Sequence, residues 1–119
     1  MKLKRIVDRT LIMGIDDWVH FAQVVDQVYL VGGARSLEEA LELAILAVGQ
    51  LLKSGLMVAG TLRDDGFHPW EVSPSEALLI IEREALSLGR LPEVGEICWL
   101  NSSAEADVIA QGLEWDFDD

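Results

Sequence analysis

Two histidines, one cysteine and a large set of carboxylates are the side chains this sequence offers to chemistry. His20 follows Asp16 at the spacing of one helical turn, which makes a carboxylate–imidazole pair available. His68 sits in RDDGFHPW, with Asp64 and Asp65 close by. A catalytic base needs a nucleophile to activate, and no motif places one near either histidine. Cys98 lies beside Trp99 in a stretch that reads as a strand, where a small buried thiol is the expected role. Glu82 and Glu84 stand two apart on a helix and so do not face each other as an acid/base pair. Gly32-Gly33 and Gly60 match no phosphate-binding loop. The reading is a non-enzymatic chain with no catalytic residue, no metal-ligand set and no cofactor motif.

Charge is the stronger functional signal. The 119 residues include 9 basic and 21 acidic side chains, for a net charge of −12. Lys2, Lys4, Arg5 and Arg9 against Asp8 leave residues 1–10 at +3 and the remainder at −15. Beyond Arg90 no basic residue occurs, while Glu93, Glu96, Glu105, Asp107, Glu114, Asp116, Asp118 and Asp119 follow. Such a surface repels nucleic acid, whose affinity for proteins comes largely from phosphate contacts. It attracts basic proteins and speeds their association. The expected partner is a basic protein, with neither nucleic acid nor membrane as a partner.

Length and composition fit one globular domain over residues 1–119, since 50 % of the residues are hydrophobic. No apolar run approaches the ~20 residues of a membrane helix. The start, MKLKRIVDRTLIMGI, is broken by Asp8 and Arg9 and lacks the clean apolar core of a signal peptide. It reads as part of the fold or as a basic arm over 1–10. One cysteine excludes an internal disulfide and fits a reducing cytosol, so a cytoplasmic location is expected.

The elements that must position these residues are legible from periodicity and caps. Ser36 with Glu39 forms a capping box, and Leu37, Ala40, Leu41, Ala44, Ile45, Val48, Leu51 and Leu52 recur at helical steps. This central helix spans 37–54, ends at Gly55, and leads into a strand over 56–62. An earlier helix is expected over 17–31, capped by Asp16 or Asp17, with Trp18, Phe21, Ala22, Val25, Val28 and Tyr29 on its buried face. Ser73, Pro74 and Glu76 start a third helix over 74–88, and Gly89 stops it. Asp64-Asp65-Gly66 is a turn, and Pro69 excludes a central strand there. Glu96 to Asn101 reads as a second strand, with Ile97, Trp99 and Asn101 on one face. A short last helix begins near Ser102 or Ser103 and runs to about Gln111, with Ser102 and Glu105 as its capping pair, and residues 113–119 read as an acidic tail. The fold class is α+β and mostly helical, with three main helices and a two-stranded β element. Leu41, Ile45, Val48, Leu52, Trp18 and Val25 are expected in the core.

The segments LLKSGLMVAGTL and EICWLNSSAEADVIA, taken with the preceding helices, resemble the frame of a winged helix over about Asp16 to Ala110. In that fold a helix ends, a glycine turns the chain and a strand pair forms the wing. The resemblance implies that KSGLMVAGTL leads into the wing and EICWLN returns from it. A capped helix, Ser73 to Leu88, is inserted between them. GFHPW, SPSEAL and LGRLPEVGEICWL are similar to segments of small bacterial proteins. In size and charge the chain also resembles the immunity proteins that neutralise bacterial toxins.

These features lead to one expectation. The chain inhibits or escorts a basic partner, most concretely a cognate toxin. Asp64, Asp65, Glu93, Glu96, Asp116, Asp118 and Asp119 are the candidate rim acids, with Trp70, Trp115 and Phe117 as aromatic anchors among them. A winged-helix transcriptional regulator is the alternative, and a small enzyme is third.

Overall fold

The computed structural model describes residues 2–114, so Trp115, Asp116, Phe117, Asp118 and Asp119 lie outside the described residues. Those described form five α-helices and four strands: α1 (Lys2–Met13), β1 (Val19–His20), α2 (Phe21–Gln27), α3 (Leu37–Lys53), β2 (Met57–Arg63), β3 (Gly66–Pro69), α4 (Pro74–Leu88), β4 (Trp99–Ser102) and α5 (Ala104–Gln111). A π-helical turn, Val28–Gly32, prolongs α2. The strands make one antiparallel sheet in the order β1-β4-β2-β3. The α+β class holds, and the short last helix is present as α5, but two strands are added to the expected pair and the helix α1 to the expected helices.

The caps act where their sequence signatures lie. Ser36 Oγ accepts from the Glu39 amide at 3.1 Å, and Ser73 Oγ accepts from the Glu76 amide at 3.1 Å. Leu41, Ile45, Val48, Leu52 and Val25 are all buried. Gly49 lets α4 settle closely on α3, since a Cβ there would sit 3.1 Å from Leu78 Cδ2. The β2–β4 pairing matches the expected strand pair, with Met57 opposite Ser102 and Gly60 opposite Trp99.

Several expectations need correction. Residues 2–10 are not a basic arm but most of helix α1. Ile6, Thr10 and Leu11 are buried, and the buried Arg9 Nη1 donates to Gln27 Oε1 at 3.0 Å. Lys4 pairs with Asp8 one turn on, so the charges that break the apolar run sit comfortably on a helix. The helix expected over 17–31 begins only at Phe21. Its first residues are drawn into the sheet, where Val19 pairs with Leu100 and His20 with Trp99. Asp17 Oδ1 accepts from the Trp18 amide at 2.8 Å, a local bond that competes with helix formation. Trp18 therefore leaves the core, and Tyr29 is 41 % exposed at the π-helical turn.

The strand expected from Glu96 begins at Trp99. Ile97 has φ 73°, and the Cys98 amide donates to Glu96 O at 2.9 Å, closing a three-residue turn. Ser102 stays in β4, and Ser103 caps α5 instead, accepting from the Ala106 amide at 3.1 Å. Leu113, assigned to the tail, packs on the core.

The core lies between the helices and one face of the sheet. Val19, Leu100, Ala59 and Met57 point into it, with Trp70 packed at its margin. Alternation along the strands turns Trp18, His20, Val58, Leu62, Phe67, Trp99 and Asn101 to the opposite, outer face. Among the described residues, none of these seven belongs to the core or is fully buried.

Candidate functional site

The outer face of the sheet carries an aromatic layer of its own. Trp18, just before edge strand β1, and Phe67, on edge strand β3, reach toward each other and stack with centroids 6.4 Å apart. His20 and Trp99, paired across β1 and β4, meet edge to face at 5.2 Å. Gly60 makes the layer possible. A Cβ there would lie 2.4 Å from His68 O and 2.6 Å from Phe67 Cζ, so only glycine leaves room for the ring over the sheet.

Carboxylates flank this layer at both ends. Asp64 and Asp65 make the tip of the β2–β3 hairpin, where Arg63 pairs with Gly66. Gly66 takes the positive φ, 122°, so neither aspartate has to. β4 enters the sheet opposite Gly60, so the loop over 89–98 lies at the same end as that tip. Asp16 and Asp17, both exposed, precede Trp18 at the other end. There they border a cleft of about 410 Å³ with Trp18, Asn101, Ser102 and Asp107.

The acids expected at an interface differ in how free they are. Asp64 and Glu93 are exposed. Asp65 Oδ1 lies 2.6 Å from His68 Nε2, and that hydrogen bond holds its carboxyl below the usual range. Glu96 is engaged internally. Arg90 grips both of its oxygens at 2.7 and 2.8 Å, and the Glu93 amide donates to it at 2.7 Å. Its pKa falls to about 2, chiefly through Arg90. Glu96 braces the strained turn at Ile97 instead of standing free. Trp70 is on the inner side, with its Nε1 donating to Thr61 Oγ1 at 3.0 Å and its amide to Ala59 O at 3.0 Å. Of the three expected aromatic anchors it is the one within the described residues, and it packs against the core.

The histidines and the cysteine settle into local roles. His20 has no helical Asp16 above it, because Asp16 lies outside α2. Burial lowers its pKa, against an opposing pull from Asp26. Its amide donates to Gln23 Oε1 at 3.0 Å, while the buried Nδ1 has no partner. Cys98 is buried, which pushes its thiol up to about 12 and leaves no thiolate for attack. Among the described residues no group of three or more His, Cys, Asp or Glu side chains is placed to hold a metal. No described helix is long and apolar enough to cross a membrane.

Trp18 falls on the apolar stripe of the expected helix over 17–31, so its place on the outer face is not visible from periodicity. For Trp99 the alternation with Cys98 and Leu100 is visible in the sequence, and the structure shows that the face of Trp99 and Asn101 is the outer one. No known protein family, curated protein or solved structure matches the chain.

Proposed function

We propose that this protein is a non-enzymatic, acidic protein-binding domain of the cytoplasm that inhibits or escorts a basic partner. An immunity protein neutralising a cognate bacterial toxin is the most concrete case. One observation carries the reading: half-exposed aromatics form a layer outside the core, with acids at both ends. Aromatic side chains supply large contact area at low entropic cost, and an acidic rim steers a basic protein onto them. Asp16, Asp17, Asp64, Asp65 and Glu93 are the steering acids. Trp18 and Phe67 are the anchors.

The test is capture of the partner from the cell of origin with the intact chain, followed by mass spectrometry. Phe67→Ala and Asp64→Lys/Asp65→Lys serve as paired controls. A basic protein retained by the native chain and lost by Phe67→Ala supports the reading. Retention by both variants removes the sheet face from the interface.

A second reading rests on the hairpin. α3 ends, Gly55 turns the chain at φ 77°, and β2 and β3 extend as a wing would, which favours a winged-helix-like regulator. Its charge opposes that use, with Glu38, Glu39 and Glu42 on α3 and Arg63 set against Asp64 and Asp65 at the wing tip. A gel shift with duplex DNA that weakens steeply with salt would promote it.

A further inference from the structure

α3 and α4 leave a groove on the surface that the sheet-face reading does not use. Its two lobes share Glu82. One is lined by Glu38, Glu42, Ile45, Leu46, Glu82 and Leu86, and the other by Lys53, Ser75, Leu78, Leu79 and Glu82. The start of α3 thus faces the end of α4, and the two helices run antiparallel. From Ser75 to Leu86 the groove is about 16 Å long at 1.5 Å per helical residue, about three turns. Its leucines are open to solvent: Leu46 is 55 %, Leu79 57 % and Leu86 53 % exposed. Leu79, Glu82 and Leu86 follow one another along one face of α4. Acids stand on both walls, Glu38 and Glu42 on α3 and Glu82 on α4. Lys53 is the basic side chain lining it, at the far end.

We propose that this groove docks a basic amphipathic helix of a partner protein. A helix is the shape that fits between two antiparallel helices, with its ridges in their groove and apolar residues at i, i+3, i+4 and i+7 against the leucines. Basic residues on its flanks would meet Glu38, Glu42 and Glu82. A second copy of this chain is a poorer occupant, because a two-fold interface sets the same acidic walls against each other. An anionic membrane is repelled by the same acids. The inference shares the premise of a basic partner, but it is built on different residues from the sheet face, so each can fail alone.

The test titrates the ¹⁵N-labelled full chain with a synthetic Leu/Lys peptide of about fifteen residues, leucines at helical spacing. A second peptide of the same composition has its leucines at alternate positions. The expected result is saturable amide shifts confined to the residues around Leu46, Leu79, Glu82 and Leu86, absent with the second peptide. Glu82→Lys and Leu79→Ser, both exposed sites, should each weaken binding by about tenfold or more while the thermal transition stays in place. Shifts of equal size with both peptides would reduce the effect to charge attraction and overturn the proposal. So would shifts centred on Trp18 and Phe67, which would leave the sheet-face reading standing. Concentration-dependent dimerisation without peptide, abolished by Leu86→Glu, would assign the groove to a second copy and overturn it equally.

Discussion

Trp18 and Phe67 stack with ring centroids 6.4 Å apart and planes 20° from parallel, joining the two edges of the sheet across its outer face. Neither ring belongs to the core. An aromatic pair of this kind contributes about 0.5–1.5 kcal/mol beyond its buried area. Phe67→Ala and Trp18→Ala should therefore destabilise modestly, and a double-mutant cycle in urea should return a coupling in that range. If the rings anchor a partner, either truncation should also speed dissociation by an amount worth about 2 kcal/mol or more. A stability loss as large as that of a core aromatic, about 3–5 kcal/mol, would place the pair in the core instead.

Gly60→Ala should be costlier than either truncation, although it adds one methyl. The new Cβ would meet the His68 carbonyl oxygen at 2.4 Å and Pro69 Cα at 2.9 Å, and backbone cannot rotate away as a side chain can. The β2–β3 ladder must shift, and overpacking of this kind costs about 1–3 kcal/mol. Near-ultraviolet circular dichroism should change with it, because Phe67 loses its seat. An unchanged spectrum and denaturation midpoint would show that the hairpin is free to move aside.

The contrast between those residues shows how far the sequence could be read. α3 and α4 carry caps, apolar stripes and glycine stops that all agree, and the structure follows them residue for residue at Ser36, Ser73 and Gly89. Trp18 and Val19 fall within the expected helix over 17–31 because a stripe at helical spacing begins at Trp18. What overrides it is the long-range pairing of Val19 with Leu100, which no local pattern announces. The candidate site depends on that pairing, since only strand geometry turns Trp18 away from the core and toward Phe67. Glu96, expected to open the second strand, stands in the loop before β4. Its partner Arg90 is near in sequence, and the turn in which the Glu96 amide donates to Glu93 O at 3.1 Å brings the two together, while Ile97 just beyond takes a positive φ that β-branched residues rarely adopt.

Along α3, neighbours should respond very differently to truncation. Ile45 is 8 % exposed, whereas Leu46 is 55 % exposed on the groove. Ile45→Ala should cost about 2–5 kcal/mol. Leu46→Ala should stay within about half a kcal/mol, as surface sites do. Denaturant midpoints measure both, and equal losses would mean that the groove is closed in solution.

Cys98 should be inert until the chain unfolds. The residue is 2 % exposed, and the pKa of its thiol is pushed up to about 12 by burial, with Glu84 adding to the shift. Reaction with a disulfide reagent at pH 8 should then follow the population of open molecules and accelerate with urea. Rapid labelling of the folded protein would show that β4 opens locally, and with it the strand that carries Trp99.

Acidification should reveal two separate losses of stability, at His20 and at Glu96. Burial lowers the pKa of folded His20 below its ordinary 6.5. As the pH drops past that value the unfolded chain takes a proton that the folded imidazole refuses, so stability falls. Glu96 is also depressed, from 4.5 to about 2, by Arg90 and the Glu93 amide. Its contribution is complete above 4.5 and disappears as the pH falls toward 2. Asp65, held low by His68, has the same sign below its ordinary 3.8. The net charge of −12 works the other way, since protonating repelling carboxylates relieves strain in the compact state. The raw pH profile therefore mixes both effects, and the informative quantity is the difference between native chain and variant. Urea midpoints from pH 8 to 3 should show the His20→Gln difference changing below about 6.5 and the Glu96→Gln difference shrinking below about 4.5. A Glu96→Gln difference that stays constant down to pH 3 would show that the Arg90 bridge does not hold the loop in solution, and that Glu96 is free to meet a partner after all.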